Sequence, residues 1–142
     1  MASKEESARA AWSALTRLWF SDELHTQLHR AVEAAGLPHP GALKALMHLD
    51  EDRAPAMRWL AEQLRCDASY VTSLVDHLED LELVERQVSP TDRRVKLVHL
   101  TPAGRAARDK ARDVLTTPLP AFDRLTDAEA TALARILGKL LG

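Results

Sequence analysis

Hydrophobic residues along this chain fall into a sequence of distinct periodicities. From Ser7 to Ala35, apolar side chains recur at steps of three and four (Ala8, Ala11, Trp12, Leu15, Leu18, Trp19, Leu28, Val32), which predicts one long amphipathic helix. Gly36 is placed to end it in a left-handed conformation, and Pro38 and Pro40 oppose its continuation. A second helix is expected over Ala42–Leu49, burying Leu43, Leu46, Met47 and Leu49. After the acidic loop Asp50-Glu51-Asp52, the face Leu60, Ala61, Leu64 marks a short helix over Met57–Leu64. A tight turn, Arg65 to Ala68, leads to another with Val71, Leu74, Val75 and Leu78 inward. Two short helices joined by so tight a turn form the helix-turn-helix pattern.

Beyond that pair the period changes from helix to strand. Leu83–Val88 and Val95–Leu100 alternate as two strands around Ser89-Pro90-Thr91-Asp92-Arg93-Arg94, a hairpin tip exposing two guanidinium groups. Ala54–Met57 is a candidate for a short third strand. Thr101-Pro102 is a helix start, hydroxyl at the N-cap and proline first, for a helix reaching about Leu115. Pro118 and Pro120 break it, and Thr126-Asp127-Ala128-Glu129 is a capping box for a final helix bearing Ala130, Leu133, Ile136, Leu137, Leu140 and Leu141. The fold class expected is mainly α with a small β-wing: a winged helix-turn-helix over residues 37–101, flanked by dimerisation helices in residues 7–35 and 102–142. The 142 residues make one domain.

Composition adds one point. The chain is 46% hydrophobic and 28% charged, as in globular domains, with a formal charge of only −2. That charge is unevenly spread: residues 1–82 hold 8 Lys/Arg against 14 Asp/Glu, whereas residues 83–113 hold 8 against 4. Positive charge is therefore gathered in the hairpin and the helix after it, a local footprint for phosphate. The single Cys66 excludes an internal disulfide and suits a reducing compartment. With no membrane-length apolar run and a charged N-terminus, a cytoplasmic location is expected.

The residues Leu60-Ala61-Glu62-Gln63-Leu64, Ser69-x-Val71-Thr72-x-Leu74-Val75-Asp76-x-Leu78-Glu79 and Leu83-Val84-Glu85-Arg86 resemble the MarR family of transcriptional regulators. The family's wing signature is Asp-x-Arg, five residues, then Leu-Thr. It is matched without a gap by Asp92-Arg93-Arg94, Val95 to His99, and Leu100-Thr101, followed by Pro102-x-Gly104. The chain departs from the family at Arg65 and Glu82, where glycine is favoured at helix ends, and in having no arginine on its recognition helix.

The resemblance implies a homodimer on a pseudo-palindromic double-stranded DNA operator. Recognition helices would enter successive major grooves and wings the flanking minor grooves, and a small aromatic or phenolic effector would release the DNA. On this reading Ser69, Tyr70, Thr72, Ser73 and His77 face the duplex. Arg93 and Arg94 reach the minor groove. Arg86 and Lys96 are phosphate candidates, with Arg58 and Arg65 behind them, and Asp92 braces the wing by pairing with a neighbouring guanidinium. Trp12, Trp19, Met47 and Trp59 are effector-pocket candidates, with core packing as the alternative.

Cys66 reads as a small core residue in the turn. His25 and His29, one helical turn apart, with His39 and His48, lack the second histidine cluster in residues 102–115 that a resemblance to zinc-sensing relatives would imply, so no metal site is expected. No cofactor is expected. A glycine-rich phosphate loop, a nucleophile elbow and paired catalytic carboxylates are all lacking, so an enzyme is set aside. The function expected is a sequence-specific, homodimeric, ligand-released repressor. The alternative is a winged-helix protein-interaction module with little DNA affinity, which the acidic recognition helix favours.

Overall fold

The computed structural model describes all 142 residues as two compact units, Thr26–Thr116 and a terminal unit of Met1–His25 with Thr117–Gly142. The terminal unit contains α1 (Lys4–Trp19), a 3-10 turn at Pro120–Arg124 and α7 (Asp127–Leu141). The central unit carries most of α2 (Asp22–Ala34), then α3 (Pro40–Met47), α4 (Met57–Leu64), α5 (Ala68–Asp80), strands β1 (Val84–Val88) and β2 (Lys96–Leu100), and α6 (Pro102–Thr116). This mainly helical architecture with a two-stranded wing is the fold class expected.

The predicted single helix over residues 7–35 is two helices. The Phe20 amide turns back to the Leu18 and Thr16 carbonyls, ending α1. Ser21 Oγ accepts from the Leu24 amide at 3.2 Å, and Asp22 and Glu23 fill the first turn of α2. Ser-Asp-Glu is a helix start by the same rule that places Thr126 before α7. The run of apolar steps across it concealed the break. A second start also lay hidden at Ser3, whose hydroxyl and Glu6 form a reciprocal capping box. The helix expected over 42–49 begins earlier, at Pro40, because the His39 ring accepts from the Ala42 amide and proline takes the first helical position.

Central-unit packing follows the helix periodicities closely. Leu46, Leu60, Val71, Leu74, Val75, Leu78 and Val98 are fully buried, bringing α3, α4, α5 and β2 around one core. Ala31 and Val32 of α2 and Ala107 and Ala111 of α6 join the same cluster. Strands β1 and β2 pair antiparallel from Val84↔Leu100 to Val88↔Lys96. The expected third strand is a single bridge, Ala56↔Leu97, with the Val98 amide donating to Pro55 O at 2.8 Å.

Besides the terminal Gly142 at 92°, three backbone positions take left-handed φ: Gly36 at 66°, Arg65 at 51° and Glu82 at 58°. Gly36 ends α2 in the way anticipated, its amide bonded to Glu33 O and that of Leu37 to Val32 O. Arg65 and Glu82 take up the family's glycine conformation with side chains attached, at a cost of about 1 kcal/mol each. Gly104 has a different role: a Cβ there would overlap the Leu83 carbonyl, so its bare backbone seats α6 on the residues entering β1. Arg108 of α6 is only 7% exposed and donates to Leu49 O at 2.8 Å and to Glu51 Oε1 at 3.2 Å, while Arg105 Nε meets the same Glu51 oxygen at 2.6 Å. The acidic loop is thereby fastened to α6.

In the terminal unit neither α1 nor α7 contains a buried residue. Trp12 and Trp19 are each 71% exposed, Phe20 79%, Leu140 71% and Leu141 88%. No helix is long and apolar enough to cross a membrane.

Candidate nucleic-acid interface

The recognition helix α5 starts from Asp67, whose Oδ1 accepts from the Tyr70 amide at 2.8 Å and from Ser69 Oγ at 2.7 Å. These bonds, the Ser69 hydroxyl first, hold the Asp67 carboxyl below its ordinary range. With Val71, Leu74, Val75 and Leu78 in the core, the residues directed most nearly outward are Ser69, Ser73, Asp76 and Asp80. Ser69 already donates its proton to Asp67, and Thr72 donates its own to Ala68 O at 2.8 Å. Ser73 is exposed with an unpartnered hydroxyl.

Tyr70 and His77 lie along one flank of α5 instead of its crest. A Cβ at Gly41 would fall 2.6 Å from the Tyr70 hydroxyl, so the phenol closes over the start of α3. The His77 ring stands edge-on to His39 with centroids 6.0 Å apart. His39, which periodicity did not single out, thus caps α3 and packs on the recognition helix. Its position immediately before Pro40 was the available signal.

The opposite flank of α5 faces the wing. Arg86 of β1 turns its guanidinium inward, its Nη2 lying 2.6 Å from Asp76 Oδ1. Its Nε and Nη2 donate to Glu79 Oε2 and Oε1 at 3.1 and 3.3 Å. The Arg86 amide adds a fourth bond to Glu79 Oε2 at 3.1 Å. The Glu79 carboxyl is held below its ordinary range, chiefly by the guanidinium hydrogen bonds, and Arg86 is raised by the same bonds. The i, i+3 spacing of Asp76 and Glu79, with an arginine on the next strand, was the legible signal for this cluster.

At the wing tip, Ser89 N donates to Val95 O at 2.8 Å, closing the hairpin, and Val95 N donates to Asp92 O at 3.0 Å. Asp92 Oδ1 accepts from the Arg94 amide at 3.0 Å and from its Nε at 3.2 Å, and Oδ2 accepts from Nη2 at 3.3 Å. Those bonds, the side-chain ones first, lower the Asp92 pKa. Arg94 remains 90% exposed while held in this fork. Arg93 is exposed and has no partner within the chain. Lys96 is exposed opposite Val88. Arg58 pairs with Glu62 on the surface of α4, and Arg65 is exposed at its C-cap.

The effector-pocket candidates separate. Trp12 and Trp19, with Leu15, Thr16, Leu18, Phe20 and Leu24, line a groove of about 440 Å³ in the terminal unit. Met47 and Trp59 pack against the core of the central unit, where Arg53 stacks 4.9 Å over the Trp59 ring. Cys66 is partly buried against that core. No three His, Cys, Asp or Glu side chains gather closely enough to hold a metal ion.

Comparison with known proteins matches these features. The MarR family model covers residues 40–96, from the start of α3 to the start of β2. A protein of Thauera aromatica ascribed the regulation of the hcr operon is 31% identical over 102 residues, covering 71% of this chain. The chain spans 61% of that relative's length. MarR of E. coli in its apo form superimposes with a TM-score of 0.72 at 24% identity, over 82% of this chain and 87% of that one. MepR of S. aureus in complex with DNA gives 0.63 at 20%, over 89% and 98%. A helix-turn-helix with its wing signature in register, the family match over that segment and the shared fold together make residues 40–96 similar to the MarR family.

Proposed function

We propose that this chain is a sequence-specific, duplex-DNA-binding transcriptional regulator that works as a homodimer, a repressor released by a small ligand. The observation that carries the reading is the wing tip, where Asp92 holds the Arg94 guanidinium in a bidentate fork beside an unpartnered Arg93. Guanidinium groups presented on a β-ribbon suit a narrow minor groove, whose negative potential attracts them. The DNA complex of MepR, a protein of the same fold, adds support. Ser73 is the recognition-helix hydroxyl open to base edges or phosphate, Ser69 and Thr72, whose protons are given to Asp67 and Ala68 O, contribute acceptors, and Lys96 is a phosphate contact. Tyr70 and His77 act at the margin of the contact, since both are engaged with the α3 start.

The dimer reading draws on α1 and α7, whose large apolar side chains are left uncovered. Surface of this kind on both terminal helices is what a two-fold partner would bury. The two flanks, residues 7–35 and 102–142, are assigned to that role and residues 37–101 to the DNA-binding lobe. The ligand reading draws on the groove around Trp12 and Trp19, whose wall is apolar and aromatic.

A mobility shift on the DNA upstream of the protein's own gene, at two salt concentrations, tests the function. The expected result is a retarded band from an imperfect palindrome with half-sites about 10 bp apart, weakening steeply with salt. No retardation on any neighbouring promoter would overturn it. The second reading, a protein-interaction module, is favoured by one observation: α5 carries Asp76, Glu79 and Asp80 and no Lys or Arg. Unchanged DNA retention in Arg94→Ala would support it.

A further inference from the structure

We infer that Arg86 is a positioning residue, a clamp that fixes the wing's angle to the recognition helix, and not a phosphate ligand. The inference rests on the duplex-binding reading for its consequence and on the free protein for its geometry. Four bonds tie one residue of β1 to two carboxylates one helical turn apart on α5. The guanidinium uses its planar fork on Glu79 and its remaining reach on Asp76, and its side chain is only 24% exposed. With three of its five N–H donors on carboxylates and two negative charges beside it, this guanidinium exerts little net attraction on a phosphate oxygen.

The clamp sits where leverage matters. The connection from α5 to β1 is Leu81-Glu82-Leu83, with Glu82 left-handed, so the chain reverses there without a glycine. From Arg86 to Ser89, where Val95 closes the hairpin, the ribbon extends about 10 Å at roughly 3.3 Å per residue, and the turn carries Arg93 about 5 Å further. A pivot of about 10° at its base then moves the tip by about 2.5 Å, more than a hydrogen bond tolerates. The clamp also accounts for the acidic recognition helix: Asp76 and Glu79 are engaged inside the protein.

Electrostatics and positioning make opposite predictions for one variant. Glu79→Gln removes a negative charge from the lobe facing DNA, so charge alone predicts tighter binding. The clamp predicts weaker binding, by about five- to tenfold, with the slope of log affinity against log salt unchanged. Arg86→Gln, likewise, weakens binding without changing the slope, whereas loss of a phosphate contact would make it shallower by about 0.9. The reversed pair Glu79→Arg with Arg86→Glu restores part of the affinity.

Amide hydrogen exchange on the DNA-free protein reads the same clamp independently. Exchange at Val88, Ser89 and Val95 is expected to quicken several-fold in Glu79→Gln while the core amides of α5 hold. Tighter or unchanged binding by Glu79→Gln, a shallower slope for Arg86→Gln, or unaltered wing exchange overturns the inference. If the wild-type protein retains no duplex, the functional reading fails, and the exchange experiment still decides the clamp.

Discussion

Two helical glycines should respond to the same substitution with opposite signs. An alanine in a helix interior is favoured over glycine by about 1 kcal/mol, so propensity alone makes both Gly104→Ala and Gly138→Ala stabilising. At Gly138 a new Cβ meets nothing within 4 Å. The residue lies on the far side of α7 from Leu133, Leu137 and Leu140, so the gain of about 0.5–1 kcal/mol should be realised. At Gly104 the Cβ overlaps the Leu83 carbonyl oxygen and lies 2.9 Å from its carbon and 2.7 Å from Leu100 Cδ1. The leucine tip can swing aside, but the carbonyl cannot. It accepts the Thr101 amide at 3.1 Å, and the adjacent Glu82 carbonyl accepts Thr101 Oγ1 at 2.7 Å.

Relieving the overlap means moving the start of α6 away from the turn that enters β1. That disrupts two hydrogen bonds worth about 1 kcal/mol each and adds overpacking strain of about 1–3 kcal/mol. After subtracting the propensity gain, Gly104→Ala should lose about 2–4 kcal/mol. Urea unfolding reads this as a fall in midpoint of about 1–2 M at unchanged m-value, and thermal unfolding as a loss of about 5–15 °C. A Gly104→Ala protein as stable as the wild type would refute the close approach of α6 to Leu83.

The acidic loop should behave as a counter-ion. Glu51→Gln leaves Arg108, 7% exposed, without its main carboxylate. It should cost about 2–3 kcal/mol in urea unfolding, below the full cost of breaking a buried pair because the Glu51 side chain is 35% exposed. Arg108→Met, which removes the buried charge itself, should cost less; the reverse order would refute the argument. At the wing, Arg93→Ala should weaken duplex binding and make the salt slope shallower by about 0.9, and an unchanged titration would remove Arg93 from the interface. Acid should weaken the clamp. Because the folded Glu79 pKa lies below its ordinary 4.5, its contribution is fully present above about pH 4.5 and is lost as pH falls through the lowered value. With that side chain 40% exposed, the contribution is about 1 kcal/mol or less. The stability gap between wild type and Glu79→Gln should therefore close below pH 4.5, and a gap that persists in acid would refute it.

Much of this architecture was legible because burial and periodicity agree. Val71, Leu74, Val75 and Leu78 could face only inward, and Thr101-Pro102 and Thr126–Glu129 announce their helices by local hydrogen bonding. Where two local signals competed, the reading failed. Trp19 and Leu28 continue a helical stripe across Ser21, yet the Ser21 cap and the Asp22-Glu23 turn end it. At the candidate interface, residue types were legible and directions were not. Tyr70 and His77 share the non-core face of α5 with Ser73, but a hydroxyl over Gly41 and a ring against His39 draw them sideways. Such contacts depend on how α3 crosses α5, which no local pattern encodes.

The acids of the recognition helix weigh most against a DNA-binding reading, and their placement removes part of that weight. Asp67 is used at the N-cap, and Asp76 and Glu79 on Arg86, leaving Asp80 as the α5 acid with no ion pair. Asp80 is at the C-terminal end, beside the shallow groove lined by Pro38, His77 and Leu81. The N-terminal turns instead present Ser69 and Ser73 where the helix dipole is positive, the end that helix-turn-helix proteins direct at base edges. A helix built in this way has hydroxyls and clamped carboxylates to offer a base pair, and no guanidinium or amide for a bidentate contact. Its share of discrimination should therefore be small beside that of the wing. On the proposed reading, selectivity would pass to groove width and DNA deformability, read by Arg93 and Arg94, and the angle held by Arg86 would become part of recognition.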